Sequence, residues 1–140
     1  MNTPSHQAVP TAPILVVEDD AAAAEIFGLS LRAAGYRVGL AGDAEAALSF
    51  VEGSVPAAMI VDLRLPGMDG LEFLRRTRTR GTLAAVPAAV VTGDYLVNEE
   101  VVDALNELGV RLFFKPIWDE DFRQIVSDLL SGSPPDATGP

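Results

Sequence analysis

Short apolar runs alternate along this chain with longer segments of helical spacing, and the pair recurs five times. Uninterrupted apolar runs rich in branched side chains are typical of buried strands. The clearest runs span residues 12–18, 57–63 and 87–93, and weaker ones span 36–41 and 110–115. Each run precedes a segment with apolar residues three or four positions apart, which predicts a helix. These predicted helices span residues 20–34, 43–52, 71–78, 97–108 and 119–131.

The helical spacing also predicts which side chains face the core. In the first helix, Ile26, Phe27 and Leu31 are expected on the inward side, and Asp20 stands where it can cap the helix. The fourth helix is defined by a spacing that starts at Val97. The remaining positions expected to face inward are Ala44, Ala47, Leu48, Val51, Val101, Leu105, Leu108, Phe122, Ile125, Val126 and Leu129.

Alternating strands and helices, with the strands apolar throughout, predict a parallel sheet covered by helices on both faces. A closed barrel needs eight such units, so five units favour an open, doubly wound α/β sheet. We expect a (βα)5 arrangement with the flavodoxin-like strand order 2-1-3-4-5. One domain is predicted over residues 13–131. Residues 1–12 are expected to form a flexible leader, and residues 132–140 a flexible tail or the stub of a linker.

Charge and composition exclude several classes of function. The net charge of −10 argues against direct binding to nucleic acid or to an anionic membrane. No apolar run reaches the roughly 18 residues that a membrane span needs. The first residues lack the basic and apolar regions of a secretory signal. The chain has no cysteine, which excludes disulfides and thiolate metal sites and fits a reducing compartment. We therefore expect a cytoplasmic protein.

Polar side chains collect where the predicted strands end. These residues are Glu18, Asp19, Asp62, Thr92 and Lys115. In a doubly wound sheet the ligand site lies beyond the carboxyl ends of the strands, and the expected order puts the first and third strands side by side. Three carboxylates at that edge are oxygen ligands of the kind that hard divalent cations take, so we expect Mg²⁺ there. Lys115 would add positive charge to the same edge.

Four segments occur in order along the predicted domain: "VVEDD", "VDLRLPGMDG", "VVTGD" and "FFKPI". Together they resemble a response-regulator receiver domain of two-component signalling. The resemblance implies a phosphorylation-activated switch that accepts a phosphoryl group on Asp62. It implies two kinds of partner: a histidine kinase or histidine phosphotransfer protein as donor, and a downstream protein target. Such a module catalyses only its own phosphorylation and slow dephosphorylation, so we expect no enzyme with a separate substrate.

The resemblance also assigns roles around Asp62. Asp19 and Asp62 are expected to ligate Mg²⁺ directly, together with the backbone carbonyl of Arg64, while Glu18 acts through water. The residues implied to hold the phosphoryl oxygens are Thr92 and Lys115. Phosphoryl transfer to a carboxylate needs charge neutralisation more than acid–base chemistry, which agrees with these roles. The Lys115–Pro116 bond is expected to be cis, as in the family. His6, the only histidine, lies in the predicted leader, so the predicted fold offers no phosphohistidine of its own.

Two features concern the family's switch and its control. The position three residues before the lysine usually carries Tyr or Phe, whereas here it is Leu112. The segment "TGDY", which ends at Tyr95, resembles the Thr-Gly-x-Tyr motif of a subset of single-domain receivers. Tyr95 and Leu112 are therefore expected to form the switch. Arg64 and Asp94 flank the expected path of attacking water, and we expect them to pair and gate it.

Two other classes of protein share parts of this pattern. A phosphatase of the haloacid-dehalogenase type also uses a strand-end Asp and Mg²⁺, but it needs a second Asp where this chain has Arg64. A flavodoxin needs a hydroxyl-rich phosphate loop after the first strand, and here that loop is acidic. Both are therefore less consistent with the sequence than a receiver domain.

Overall fold

The protein contains a five-stranded parallel sheet, and the prediction of a flavodoxin-like doubly wound α/β fold is confirmed. The structure, a computed structural model, describes residues 9–132; His6 and most of the predicted leader and tail lie outside them. The strands are β1 (Ile14–Val17), β2 (Val38–Ala41), β3 (Ala58–Val61), β4 (Ala88–Thr92) and β5 (Arg111–Phe114). The helices are α1 (Ala21–Ala33), α2 (Ala44–Gly53), α3 (Gly70–Arg78), α4 (Glu99–Glu107) and α5 (Asp119–Ser131). The order across the sheet is β2-β1-β3-β4-β5, as predicted.

Each strand contributes to two cores, because successive side chains of a strand point to opposite faces of the sheet. Leu15 and Val90 face α2, α3 and α4, while Val16 faces α1 and α5. On this second face the rings of Phe27 and Phe122 stack with their centroids 4.4 Å apart. Burial on both faces explains why the strands have no polar alternation in the sequence. No helix within residues 9–132 is long and apolar enough to cross a membrane.

Most of the predicted inward positions are buried or half-buried, with two corrections. The predicted positions on α2, α4 and α5 all pack against one of the two cores. The prediction that Ile26 faces inward is wrong, since its side chain is 64% exposed. Phe27 and Leu31 lie on the sheet side of α1. Because an α-helix has 3.6 residues per turn, neighbouring residues point in different directions, and Ile26 points away from the sheet. Val97 packs against the core but lies before α4, which begins two residues later.

Side chains cap three of the helices. Asp43, Asp69 and Asn98 each accept a hydrogen bond from the backbone N–H three residues later, at 2.7–3.0 Å. Asp20 occupies the cap position of α1, as predicted, but its side chain accepts no capping hydrogen bond. Its backbone N–H instead donates to the Glu18 carboxylate at 3.1 Å. The start of α1 is therefore tied to an acidic side chain at the end of β1.

The sequence pattern did not predict the short 3₁₀ helix at Gly81–Ala85 or the arginine that holds it. Arg78 donates from Nε to the carbonyl of Leu108 at 3.0 Å. Its Nη1 donates to the carbonyls of Val86 at 2.8 Å and Leu83 at 3.4 Å. Burial lowers the pKa of this guanidinium. One side chain therefore joins the C-terminal ends of α3, the 3₁₀ helix and α4.

Gly70, the first residue of α3, packs against the main chain that carries Asp62. A Cβ at this position would lie 2.1 Å from the Asp62 carbonyl oxygen. We expect Gly70→Ala to lower the free energy of unfolding by about 1–3 kcal/mol, the usual cost of overpacking, in denaturant titrations. Gly53→Ala is the control, because a Cβ there meets nothing within 4 Å, and it should not destabilise. A Gly70→Ala protein as stable as the wild type would contradict this close packing.

Candidate functional site

The ends of β1 and β3 bring three carboxylates together. The two strands pair in parallel with Val17 opposite Val61, so the residues that follow them lie side by side. Glu18, Asp19 and Asp62 each place one carboxylate oxygen within 4.8 Å of the others. Glu18 and Asp62 are buried, with 4% and 6% of their surface exposed, whereas Asp19 is exposed. The three acids that were expected to meet at the strand ends thus lie together in the fold.

Lys115 contacts two of these carboxylates. Its Nζ lies 2.6 Å from Oε1 of Glu18 and 3.1 Å from Oδ2 of Asp62. Its backbone N–H donates to the carbonyl of Thr92 at 2.8 Å, which extends the ladder between β4 and β5 by one residue. The Lys115–Pro116 peptide bond is cis, as expected. Lys115 is the only lysine in the chain, so its ammonium differs from every other cationic side chain in the sequence.

Burial and neighbouring charges act together on these groups. Burial raises the pKa of the Glu18 carboxyl above its ordinary value, and the negative charge of Asp62 adds to this effect. Hydrogen bonds from Lys115 and from the backbone of Asp20 oppose it without reversing it. Burial acts to lower the pKa of Lys115, but its contacts with Glu18 and Asp62 outweigh burial, so that pKa is raised. Positive charge near the Glu18 carboxylate therefore favours its ionised form.

Thr92 ends β4, the strand beside β3, and its side chain is fully buried. Its Oγ1 accepts a hydrogen bond from the backbone N–H of Asp94 at 3.2 Å. A hydroxyl can accept and donate at the same time, so this bond leaves the Thr92 proton available for an anion. The carboxylate of Asp94 in turn accepts from the backbone N–H of Leu96 at 3.0 Å. The loop after β4 is thus folded around the Thr92 and Asp94 side chains.

Arg64 and Asp94 lie close enough for the expected ion pair. Nε of Arg64 is 3.7 Å from Oδ2 of Asp94, and the Arg64 side chain is 75% exposed. An exposed pair of this kind contributes about 0–1 kcal/mol. The two side chains line a groove of about 600 Å³ that is also lined by Asp19, Leu65 and Val97. The pair therefore borders the same groove as one of the three acids of the cluster.

Tyr95 and Leu112, the two residues of the expected switch, contact different residues. Tyr95 is 64% exposed, and its ring stacks on Phe114 with the centroids 5.5 Å apart. Its hydroxyl donates to the backbone carbonyl of Lys115. Leu112 is half-buried and packs against the core beneath α4. Phe114 was not predicted as part of this site, although strand alternation places residues 112 and 114 on the same face of β5.

The donor set fits a hard divalent cation. All three carboxylates offer oxygen atoms, which Mg²⁺ prefers, and the cluster contains no softer ligand. Three carboxylates face a single ammonium, so the cluster keeps excess negative charge when all are ionised. The backbone N–H of Arg64 donates to Oδ1 of Asp62 at 3.1 Å, which orients that carboxylate. The residues present are therefore compatible with the metal that the sequence predicted.

Comparison with protein families gives a match over most of the chain. The family model of the response regulator receiver domain matches residues 14–127. The response regulator MprA of Mycolicibacterium vanbaalenii is 40% identical over 123 residues, which cover 88% of this chain and 52% of that protein. MprA of Mycobacterium leprae is 35% identical over 123 residues, with 88% and 53% covered. This chain thus spans about half the length of the curated relatives that it matches.

Solved structures with the same fold include receiver domains from different organisms. A CheY-like response regulator receiver domain protein from Methanospirillum hungatei has a TM-score of 0.81 at 24% identity, covering 88% of this chain and 96% of its own. At that identity the likeness concerns the fold alone. The receiver domain of the sensor histidine kinase PA1611 from Pseudomonas aeruginosa has a TM-score of 0.77 at 26% identity, covering 87% and 99%. That structure holds a magnesium ion in its active site cleft.

These matches agree with the local geometry. The matched range includes all five strands and the residues that follow β1, β3, β4 and β5. The matches give no support to a phosphatase of the haloacid-dehalogenase type, the alternative that the strand-end Asp had left open. The protein belongs to the response-regulator receiver domain family of two-component systems.

Proposed function

We propose that this protein is a phosphorylation-activated switch that accepts a phosphoryl group on Asp62. The donor is a histidine kinase or a histidine phosphotransfer protein, and the switch comprises residues 13–131. The observation that carries the proposal is the position of Asp62, which lies at the carboxyl edge of the sheet within 3.1 Å of the Lys115 ammonium and beside two further carboxylates. A carboxylate in this setting is a nucleophile whose reaction needs added positive charge.

The acidic cluster holds Mg²⁺ in this proposal. Asp19, Asp62 and the backbone carbonyl of Arg64 would ligate the ion directly, and Glu18 would act through water. When bound, Mg²⁺ supplies positive charge that stabilises the oxygens of the transferring phosphoryl group. The burial of Glu18 and Asp62 supports this role, because ionised carboxylates that lie close together out of water require a compensating cation.

The chain's own residues supply the remaining parts of the transfer. A carboxylate oxygen of Asp62 forms a new bond to phosphorus while the bond from phosphorus to the donor breaks, and the donor keeps the electron pair. The Lys115 ammonium and the Thr92 hydroxyl contact the phosphoryl oxygens and hold them. The reaction needs no proton from either residue, which agrees with a site built from carboxylates and an ammonium rather than from an acid–base pair.

The phosphorylated state is read by a downstream protein, so one element must adopt two arrangements. We assign this change to Tyr95 together with Leu112, and the surface that carries the signal to residues 97–114. Thr92 moves toward the phosphoryl group and the loop after β4 follows, which changes the exposure of the Tyr95 ring. The exposure of Tyr95 supports this assignment, because a ring that lies mostly in solvent can become more buried when the loop moves.

Asp62→Asn is expected to abolish phosphorylation. Protein treated with acetyl phosphate and Mg²⁺ should gain the mass of one phosphoryl group in intact mass spectrometry, because one carboxylate is the acceptor. Asp69→Asn, in the loop before α3, is the matched control; Asn keeps the helix cap that Asp69 provides, so the adduct should remain. A stable adduct on the Asp62→Asn protein would contradict the assignment.

Mg²⁺ is expected to stabilise the fold in the absence of phosphate. For a dissociation constant of about 1 mM, Mg²⁺ at about 10 mM adds roughly 1.4 kcal/mol to the free energy of unfolding. This corresponds to a melting temperature a few degrees higher, measured by calorimetry. The shift should disappear as acid protonates the carboxylates, because metal ligands must be deprotonated.

Two variants test where the ion binds. Asp19→Asn removes one of the three carboxylates and should abolish the thermal shift. Glu52→Gln removes an exposed acid from α2 and should leave it intact. An equal shift in wild type and Asp19→Asn would place the ion elsewhere.

Arg64→Ala is expected to shorten the lifetime of the phosphorylated state. If the ion pair with Asp94 excludes attacking water, its loss removes about 0–1 kcal/mol of protection, which allows hydrolysis to accelerate by up to about fivefold. The measurement follows loss of the phosphoryl group by intact mass after excess donor is removed. Arg75→Ala, an exposed arginine on α3, is the control. Lifetimes unchanged within about twofold in both Arg64→Ala and Asp94→Ala would rule out the gate. Half of the upper limit for such a pair, about 0.5 kcal/mol, would already change the rate of hydrolysis by more than twofold.

A further inference from the structure

Tyr95 makes two contacts with β5 and the residue that follows it. The ring stacks on Phe114 with an angle of 18° between the planes. The hydroxyl donates to the backbone carbonyl of Lys115. Stacking alone would place the ring on the strand, and the hydrogen bond alone would leave the ring free to rotate. Together the two contacts fix both ends of the side chain.

The main chain of Lys115 is hydrogen-bonded to the end of β4 and to the loop that follows it. Its N–H donates to the carbonyl of Thr92 at 2.8 Å, and its carbonyl accepts from Tyr95. These two polar groups flank the Cα from which the lysine side chain extends. The main chain that carries the ammonium is therefore held by two residues only three positions apart, one at the end of β4 and one in the loop after it.

We infer that Tyr95 is a positioning residue for Lys115: its hydroxyl holds the lysine main chain so that the ammonium stays between Glu18 and Asp62. This role is separate from the switch assigned to Tyr95 above, because it operates in the unphosphorylated protein. Its effect on phosphoryl transfer rests on the proposed function, whereas its effect on the lysine side chain does not. Phe114 provides the surface that keeps the tyrosine ring in place.

The loop after β4 also connects Tyr95 to Thr92 and Arg64. Asp94, the residue before Tyr95, bonds the Thr92 hydroxyl through its N–H and lies 3.7 Å from Arg64 through its carboxylate. A displacement of Thr92 would therefore reach Lys115 by way of Tyr95. The loop thus links the two groups that contact the phosphoryl oxygens in the proposed reaction.

Lys115 can be observed by itself because it is the only lysine. Protein made with isotopically labelled lysine gives one set of side-chain signals in NMR. Tyr95→Phe keeps the ring on Phe114 and removes only the hydroxyl, so we expect the Lys115 signals to shift and their side-chain mobility to increase. Phe114→Leu removes the stacking surface and should move the same signals in the same direction. Tyr36→Phe, at the other tyrosine, is the matched control and should leave them unchanged.

The rate of phosphorylation by acetyl phosphate in Mg²⁺ is the second readout. Tyr95→Phe should slow it by about threefold to tenfold, because small displacements of a positioned group reduce the rate of a reaction. Tyr36→Phe should react as the wild type does. Melting temperatures measured on the same variants show whether a substitution causes a general loss of structure, which would move the Lys115 signals without any positioning role.

The outcomes separate this inference from the proposed function. Unchanged Lys115 signals in Tyr95→Phe would overturn the positioning role, whatever the rate of phosphorylation. Shifted signals in Tyr95→Phe without any shift in Phe114→Leu would overturn the part played by Phe114. Shifted signals in both variants, together with a wild-type protein that accepts no phosphoryl group, would support the positioning of Lys115 and reject Asp62 as an acceptor.

Discussion

The contact of one ammonium with two buried carboxylates is the interaction on which the rest of this site depends. Glu18 and Asp62 lie beside each other because β1 and β3 are neighbours, and their charges would repel one another without compensation. The compensating group follows β5, which is separated from β3 in the sheet by β4. The strand order therefore does more than build a core: it brings Lys115 to acids that lie far away along the chain.

The strand ends could be predicted because a parallel sheet leaves little choice. Once the apolar runs are identified, Asp62 and Lys115 must lie at the same edge of the sheet, whatever the surrounding loops do. Contacts that depend on side-chain direction could not be derived in this way. The ring of Tyr95 lies on Phe114 and the guanidinium of Arg78 reaches three carbonyls, and neither choice is specified by spacing along the chain. Ile26 fits the apolar pattern of α1 and still faces solvent.

The division of the protein into two cores has a bearing on how a change at the site could spread. The sheet is packed on both faces, and packed interiors resist gradual deformation. The loop after β4 is different, because it follows the buried Thr92 and includes the exposed Tyr95 and Leu96. Movement is therefore easier along this loop than through the strands. Arg78 joins the C-terminal ends of α3 and α4, and this bond limits how far the two helices can separate.

The scarcity of lysine has a practical side for work on this protein. All other cationic side chains within the sequence, apart from His6, are arginines, so reagents that attack amines have only Lys115 and the chain's terminal amine as targets. Coupling to an activated biosensor surface, or labelling with an amine-reactive dye, converts the ammonium into a neutral amide at the centre of the acidic cluster. Such a sample would carry two buried carboxylates without their cation. Attachment through a cysteine introduced on the surface leaves this group untouched, because the native chain contains no other thiol.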